Sequence, residues 1–526
     1  VIQCYNPATG ERLGLINPVT QNGIDRAIAQ ATEAQKGWGG SSFSQRRRVL
    51  KTLLKFILDN QEAIARAACL DSGKTRVDAS FGEILVTVEK LKWTIDHGEK
   101  ALRAERRPTN LLMMYKKNEV RWEPLGVVAA IVSWNYPFHN LFGPIISGIF
   151  AGNAVIVKGS EQTAWSAQYF ASIARGALKA CGHEPNLIQS IVCWPSIAPH
   201  LNQHPGISHL TFIGSREIAL KVAASAAKSL TQTCMELGGK DASILLDDVK
   251  DLDRVVATLV RGTFQSAGQN CIGIERVICL PKVYEKVVPR LTSIIEQIRP
   301  GSALSLTSAE DVVDMGASIS AANFNHLEQL ITDAIRQGAK LLVGGQRYHH
   351  PEFPKGHYFA PTLITDVTPA MAIAREELFA PICVVMRAST ISEAITIANG
   401  TMYGLGGSVF GSNRRDLERV TRELKCGMVA VNDFAAFYMV QLPFGGVRGS
   451  GYGRFAGEEG LRAICAQKSV CVDRFPSLIK TSIPPPLRLP LQNEAKAWNF
   501  CKGIVEFGYG ETLQRKMKGI QKLIGL

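Results

Sequence analysis

Apolar residues recur every three or four positions through residues 22–68. Leu50, Leu53, Leu54 and Ile57 share one face there, and Arg46, Arg47, Arg48 and Lys51 fall on others, a pattern that predicts helix. Between Asn110 and Trp122 the periodicity is lost, and Met113, Tyr115, Val120 and Trp122 alternate with polar residues as in a hairpin or extended arm. After Gly126 short apolar runs at 127–132, 154–158, 187–193 and 209–213 alternate with helical stretches. The alternation resumes at 242–246 and 277–280 and continues through 382–386. Fully apolar strands between helices are what a parallel sheet covered on both faces requires, so the fold class is α/β. Gly238-Gly239 is a natural hinge between two α/β domains. The long apolar stretch 141–157 is interrupted by Gly143, Pro144, Gly148, Gly152 and Asn153, and reads as a buried helix entering a strand rather than a membrane span.

The last fifty residues have another texture. Pro484, Pro485, Pro486 and Pro490 predict a stiff connector. Beyond it Leu513, Met517, Ile520 and Ile524 can share a helical face, with Arg515, Lys516, Lys518 and Lys522 largely elsewhere. Residues 476–526 hold eight Lys+Arg against three Glu, so this helix either lies on a membrane surface or docks on the protein itself.

Composition narrows the class. A chain of 526 residues exceeds one ordinary core, and 46% hydrophobic with 20% charged residues is a globular balance. The formal charge of +13 suits an anionic cofactor or an acidic membrane surface, and equally a soluble basic protein with neither partner. No basic-plus-stacking motif of a nucleic-acid module is present. Twelve cysteines without a C-x-x-C pair indicate reducing surroundings and mostly core thiols, and no His/Cys cluster has metal-ligand spacing.

Four segments carry candidate chemistry: Ser133-Trp134-Asn135-Tyr136-Pro137 directly after an apolar run, Lys158-Gly159-Ser160-Glu161 after the next, Glu236-Leu237-Gly238-Gly239-Lys240, and Gly268-Gln269-Asn270-Cys271. Taken singly, an Asn after a strand is a turn residue and a Cys is packing. Together, in this order, they resemble the aldehyde dehydrogenase superfamily. The resemblance extends over residues 1–475 through Asn6-Pro7-Ala8-Thr9-Gly10-Glu11, Phe212-Ile213-Gly214-Ser215, Glu376-Glu377-Leu378-Phe379-Ala380-Pro381 and Pro443-Phe444-Gly445-Gly446-Val447. It is nearest to the plant and fungal family 22 enzymes, through residues 133–140, Gly262-Thr263, Gln265-Ser266, Asn432-Asp433-Phe434-Ala435 and Gly453-Arg454-Phe455-Ala456-Gly457.

The resemblance implies a Rossmann-like cofactor domain (1–106 and 125–237), an α/β catalytic domain (238–465), a β oligomerisation arm (107–124 and 466–475) and a basic extension (476–526). It also implies the chemistry. Cys271 attacks the aldehyde carbon as a thiolate, because a thiol is a strong nucleophile and leaves a thioester that water can cleave. The Asn135 amide and the Cys271 backbone N–H receive the oxyanion without a charge that would trap it. Glu236 then activates water, which separates this reading from a coenzyme-A-acylating dehydrogenase. NAD is the implied cofactor, with NADP as the alternative. Gly214 and Ser215 open a helix towards its pyrophosphate, Lys158 and Glu161 meet the adenosine ribose, and Glu377 beside Phe379 meets the nicotinamide ribose. Ile131, Trp134 and Gly238 line the groove.

Gly159, Ser133 and Ala380 depart from the family's usual Pro, Pro and Gly, and none of these removes a chemical group. From family position Tyr136, Phe434, Phe437, Tyr438 and Phe444 line the substrate tunnel, which favours a hydrophobic aldehyde over a semialdehyde. The arm at 111–123 with the strand at 469–473 implies a dimer or tetramer. Family 22 members tend to carry a hydrophobic anchor, which here would precede Val1. The resemblance therefore implies the cytoplasmic side of an intracellular membrane, the endoplasmic reticulum in particular, with the cytoplasm as the alternative. A non-catalytic, membrane-associated binding protein is the competing class.

Overall fold

The computed structural model describes residues 1–306, 308, 311–434 and 439–525. Helix fills the N-terminal region, but as three pieces, Gln21–Trp38, Phe43–Asp59 and Gln61–Ser72. The first break has a local cause. Ser42 and Gln45 form a reciprocal capping box, which starts a new helix rather than continuing the old one. Leu50, Leu53 and Ile57 are buried as their spacing predicts. Arg46, expected away from that face, is also buried, because its guanidinium donates to the Gly39 and Phe150 carbonyls at 3.0 Å each.

Two sheets follow in one compact unit, residues 1–102 and 124–465. The first has the strand order Gly451–Tyr452, Gln232–Glu236, His209–Ile213, Val127–Ile131, Ala154–Lys158, Ile188–Ile191, parallel throughout except for the antiparallel edge at Gly451–Tyr452. Strand order reverses beside Val127–Ile131, and the crevice outside strand ends at such a reversal is where α/β sheets take ligands. The apolar stretch 141–157 is the helix Pro137–Ala151 followed by the strand Ala154–Lys158, and every residue of that strand is buried.

After Glu236 the chain leaves this sheet and at Ala242 enters a seven-stranded one. Its order is Lys340–Val343, Thr362–Thr365, Ile382–Arg387, Arg276–Cys279, Ala242–Leu245, Gly406–Phe410, Met428–Val431. The amphipathic helices Leu252–Phe264, Pro281–Ile295 and Phe324–Arg336 contribute to one core with Ile244, Val277, Ile278 and Val384.

Residues 103–123 and 466–526 form a second compact unit. Here Glu105–Arg107 and Lys116–Pro124 pair antiparallel, with a short turn Leu111–Met113 between them and Cys465–Asp473 on the other edge. The helices Glu494–Tyr509 and Leu513–Leu523 pack together, though not through the predicted apolar stripe. Leu513, Met517 and Ile524 are exposed, and the buried position is Gly519. A Cβ there would lie 2.4 Å from the Phe507 nitrogen, so close glycine contact and the Lys522–Glu506 ion pair at 2.7 Å set the packing. Among the described residues no helix is long and apolar enough to cross a membrane, and no cluster of His, Cys, Asp and Glu could hold a metal ion.

Candidate active site

Cys271, Glu236 and Asn135, which lie far apart in sequence, line one cavity together with Tyr136 and Phe444. Each is delivered by a different device. Glu236 ends the strand Gln232–Glu236 and is buried. Cys271 follows an unusually tight turn in which Ser266, Ala267 and Gly268 all take left-handed φ values (54°, 55° and 72°). Only glycine fits at the third position, where a Cβ would sit 2.1 Å from the Ala380 carbonyl. Gln269 pins this loop through Nε2 to the Ser266 carbonyl (2.9 Å) and through Oε1, which accepts from the Ile319 N–H (2.8 Å).

Asn135 is oriented from all sides. Its Oδ1 accepts from Ser133 Oγ (2.6 Å) and Asn140 Nδ2 (3.2 Å), and its Nδ2 donates to the Gln269 carbonyl (3.1 Å). An amide nitrogen has two hydrogens, so one remains for an oxyanion. Beneath it lies a buried ion pair that no motif announced. Lys74 Nζ donates to Glu83 Oε1 (2.6 Å) and to the Asn135 carbonyl (2.7 Å). Glu83 Oε2 accepts the Phe138 and His139 N–H groups (2.8 and 2.9 Å), two of the free amides that open the helix Pro137–Ala151.

Burial sets the electrostatics. Desolvation pushes the Glu236 carboxyl up to about 7, opposed by the Cys271 thiol and the Gly238 N–H, and among the described residues its Oε1 has no hydrogen-bond partner. The Cys271 thiol is raised well above its ordinary value, first by desolvation and then by the Glu236 charge. A buried thiol in one cavity with a carboxyl raised towards neutrality can serve as a nucleophile with a proton acceptor at hand.

The predicted cofactor residues cluster at the carboxyl ends of the first sheet's strands. Ile131 and Lys158 end adjacent strands, and Lys158 Nζ lies 3.2 Å from Glu161. The Gly214 N–H donates to the Glu236 carbonyl (3.0 Å). Ser215 precedes the helix Arg216–Ala226 without capping it by its side chain, which leaves the first-turn amides without that side-chain partner, as an anion such as a pyrophosphate would need. Trp134 stands edge-on to Phe379, with ring centroids 5.5 Å apart. Gly238 has φ 75°, and its missing Cβ leaves room for Glu377, whose Oε1 accepts from the Gly239 N–H at 2.9 Å. These residues fit a dinucleotide. The backbone at Phe379 (φ 51°) is held by Glu275, which accepts its N–H (3.0 Å) and pairs with the buried Lys240 (2.7 Å).

Phe434 does not join the cavity of Cys271. It lines a separate one with Asp241, Ile274 and Gly406, and packs against the second sheet's core. Phe437 and Tyr438 lie outside the described residues. Lys90, by contrast, lines the cavity of Cys271 and carries no motif, and His139, from the segment 133–140, lines it too. The signal that could have found Lys90 is its place one turn after Val86 on a buried helical face.

The fold and the site define an oxidoreductase that acts on aldehydes. The chain belongs to the aldehyde dehydrogenase family, whose model matches residues 1–470. An aldehyde dehydrogenase-like protein of Schizosaccharomyces pombe is 52% identical over 97% of this chain and 96% of its own length. Another, from Saccharomyces cerevisiae, is 50% identical over 99% and 82% respectively. These fungal relatives agree with the family 22 resemblance. Among solved structures, a mutant betaine aldehyde dehydrogenase of Staphylococcus aureus, in complex with NAD+ and bearing a modified cysteine, has a TM-score of 0.83 and 28% identity over 92% of this chain and 96% of that one.

Proposed function

We propose that this protein oxidises an aldehyde to a carboxylic acid through a thioester on Cys271, with NAD as the preferred cofactor and NADP as the alternative. The observation that carries the reading is the convergence of Cys271, Glu236 and Asn135 in one cavity beside a groove suited to a dinucleotide. The cofactor, when bound, supplies the two-electron acceptor for the hydrogen on the aldehyde carbon.

Glu236 accepts the Cys271 proton, and the thiolate forms a carbon–sulfur bond with the aldehyde. The Asn135 amide hydrogen not bonded to Gln269 steadies the charge that moves onto the former carbonyl oxygen. Once the thioester exists and Glu236 has passed the first proton to solvent, it takes a proton from water, the hydroxyl adds to the acyl carbon and the carbon–sulfur bond breaks, which releases the acid and leaves Cys271 as the thiolate. This use of Glu236 argues against coenzyme A as the acyl acceptor. The Glu161 carboxylate would accept ribose hydroxyls and repel a 2′-phosphate, although Lys158 at 3.2 Å tempers that repulsion.

The division into a cofactor domain (1–106, 125–237), a catalytic domain (238–465) and an arm belongs to the same proposal. Self-association through the arm is supported by the position of Glu105–Arg107 at the edge of its three-stranded sheet. The exposed Leu513 and Met517 beside Arg515, Lys516 and Lys518 support contact with an acidic membrane surface.

The test is a panel of aldehydes with NAD and NADP, read by absorbance of the reduced cofactor. Wild-type protein should reduce NAD with at least one aldehyde. Cys271→Ala should lose roughly 10⁴-fold or more of that rate. Full turnover by the variant would overturn the assignment.

A further inference from the structure

Lys90 lies in the cavity of Cys271, yet aldehyde oxidation gives it no task. It stands on the helix Val86–Ala101, one turn beyond Val86, and only 6% of it is exposed. Its Nζ donates to the Phe455 carbonyl at 3.0 Å, and no ion pair to a carboxylate accompanies that bond among the described residues. An ammonium has three hydrogens to donate, so this one enters the cavity with two still to place. Desolvation pulls its pKa down to about 8, the mark of a buried cation whose charge nothing nearby offsets. The contrast with Lys74 is direct, since Lys74 is neutralised by Glu83.

The neighbouring titratable group is His139, from the first turn of the helix Pro137–Ala151. Its Nδ1 lies 3.1 Å from Thr87 Oγ1. Burial, with Lys90 and Lys74 nearby, holds the imidazole neutral by lowering its pKa to about 3. His139 therefore neither neutralises Lys90 nor adds a second charge. The cavity they share holds the Glu236 carboxyl and the amides of Asn135, Asn140 and Asn270 at the Cys271 site, and Val86, Ile272, Val440 and Phe444 give it apolar walls.

We propose that Lys90 selects aldehydes with a carboxylate at the far end, so that the substrate class of this site is the semialdehydes of dicarboxylic acids. The inference rests on the aldehyde oxidation proposed above and names its substrate. A methyl-terminated aldehyde leaves the ammonium desolvated with donors unmet, which is the costly arrangement for a buried charge. A carboxylate accepts those hydrogens and restores charge balance, while the methylenes lie against Phe444 and Val86. An aldehyde ending in a quaternary ammonium is repelled. The aromatic wall that pointed to a purely hydrophobic substrate thus describes the middle of the molecule and not its end.

The experiment compares kcat/KM of the full chain for succinic, glutaric and adipic semialdehydes with that for butanal, pentanal and hexanal. The wild type should prefer the carboxylate at its best chain length by about tenfold or more. Lys90→Met should reverse that preference, and Lys90→Arg should retain it. Equal preference in wild type and Lys90→Met, or a wild type that favours the methyl-terminated series, would overturn the proposal. A readout without turnover separates it from the reading beneath. Succinate, glutarate or adipate should raise the Tm of the wild type and not of Lys90→Met, whether or not any aldehyde reduces the cofactor. A Tm rise that persists in Lys90→Met contradicts the subsite. A rise lost in that variant, with no cofactor reduction by any aldehyde, would keep the subsite and sink the oxidation.

Discussion

Two buried lysines, one behind the cavity wall and one in it, handle charge in opposite ways. Under Asn135, Lys74 and Glu83 are both almost wholly buried and consume each other's hydrogen-bonding capacity at 2.6 Å, with the remainder directed to the Asn135 carbonyl and two helix N–H groups. At Lys90 a cation equally removed from water meets one carbonyl and apolar walls. The first arrangement is closed and serves position: it fixes the loop that holds Asn135. The second is open and serves choice, because it is complete only when a ligand brings the missing charge. A buried charge that the protein satisfies is architecture, and one that it leaves unsatisfied is a request for a partner.

The closed pair gives the largest expected effect. Glu83→Gln leaves Lys74 charged and alone, and should cost about 3–5 kcal/mol in urea unfolding. A loss below about 1 kcal/mol would show that the pair is not the support described and would blur the contrast with Lys90. A smaller effect comes from Glu236, whose carboxyl is raised to about 7 by burial. The protonated form cannot accept a proton from Cys271 or water, so turnover should fall as pH drops below about 7, by about tenfold per unit, and level off above it. A flat profile from pH 5 to 8, tested at roughly these values because the group titrates between them, would remove Glu236 from its role as base.

Much of this was legible before any coordinates. The strands at 127–131 and 154–158 announce themselves because parallel strands buried on both faces read as unbroken apolar runs. Cys271, Asn135 and Glu236 stand out only through the family resemblance of the segments that hold them, since singly an Asn after a strand reads as a turn residue and a Cys as packing. What escaped depends on tertiary context. Arg46 looks like a solvent-facing residue until the Gly39 and Phe150 carbonyls meet it. The helix Leu513–Leu523 displays an apolar stripe, yet it packs through Gly519 because glycine permits a backbone approach that no stripe can match. Phe434 sits near the site in sequence logic and behind it in space. Lys90 belongs to no quoted motif, and its place one turn after Val86 gains meaning only once its burial is seen.

The most direct test of the central claim is to trap the thioester. Glu236→Gln should form the acyl–sulfur bond only slowly, because the Cys271 proton must then leave to solvent, and should fail to hydrolyse it, since the amide cannot take a proton from water. Intact mass spectrometry of this variant mixed with NAD and an aldehyde substrate should show one added acyl group, mapped by proteolysis to Cys271, alongside a single-turnover burst of reduced cofactor. Reduced cofactor without any adduct on Cys271, or an adduct on another of the twelve cysteines, would contradict the account.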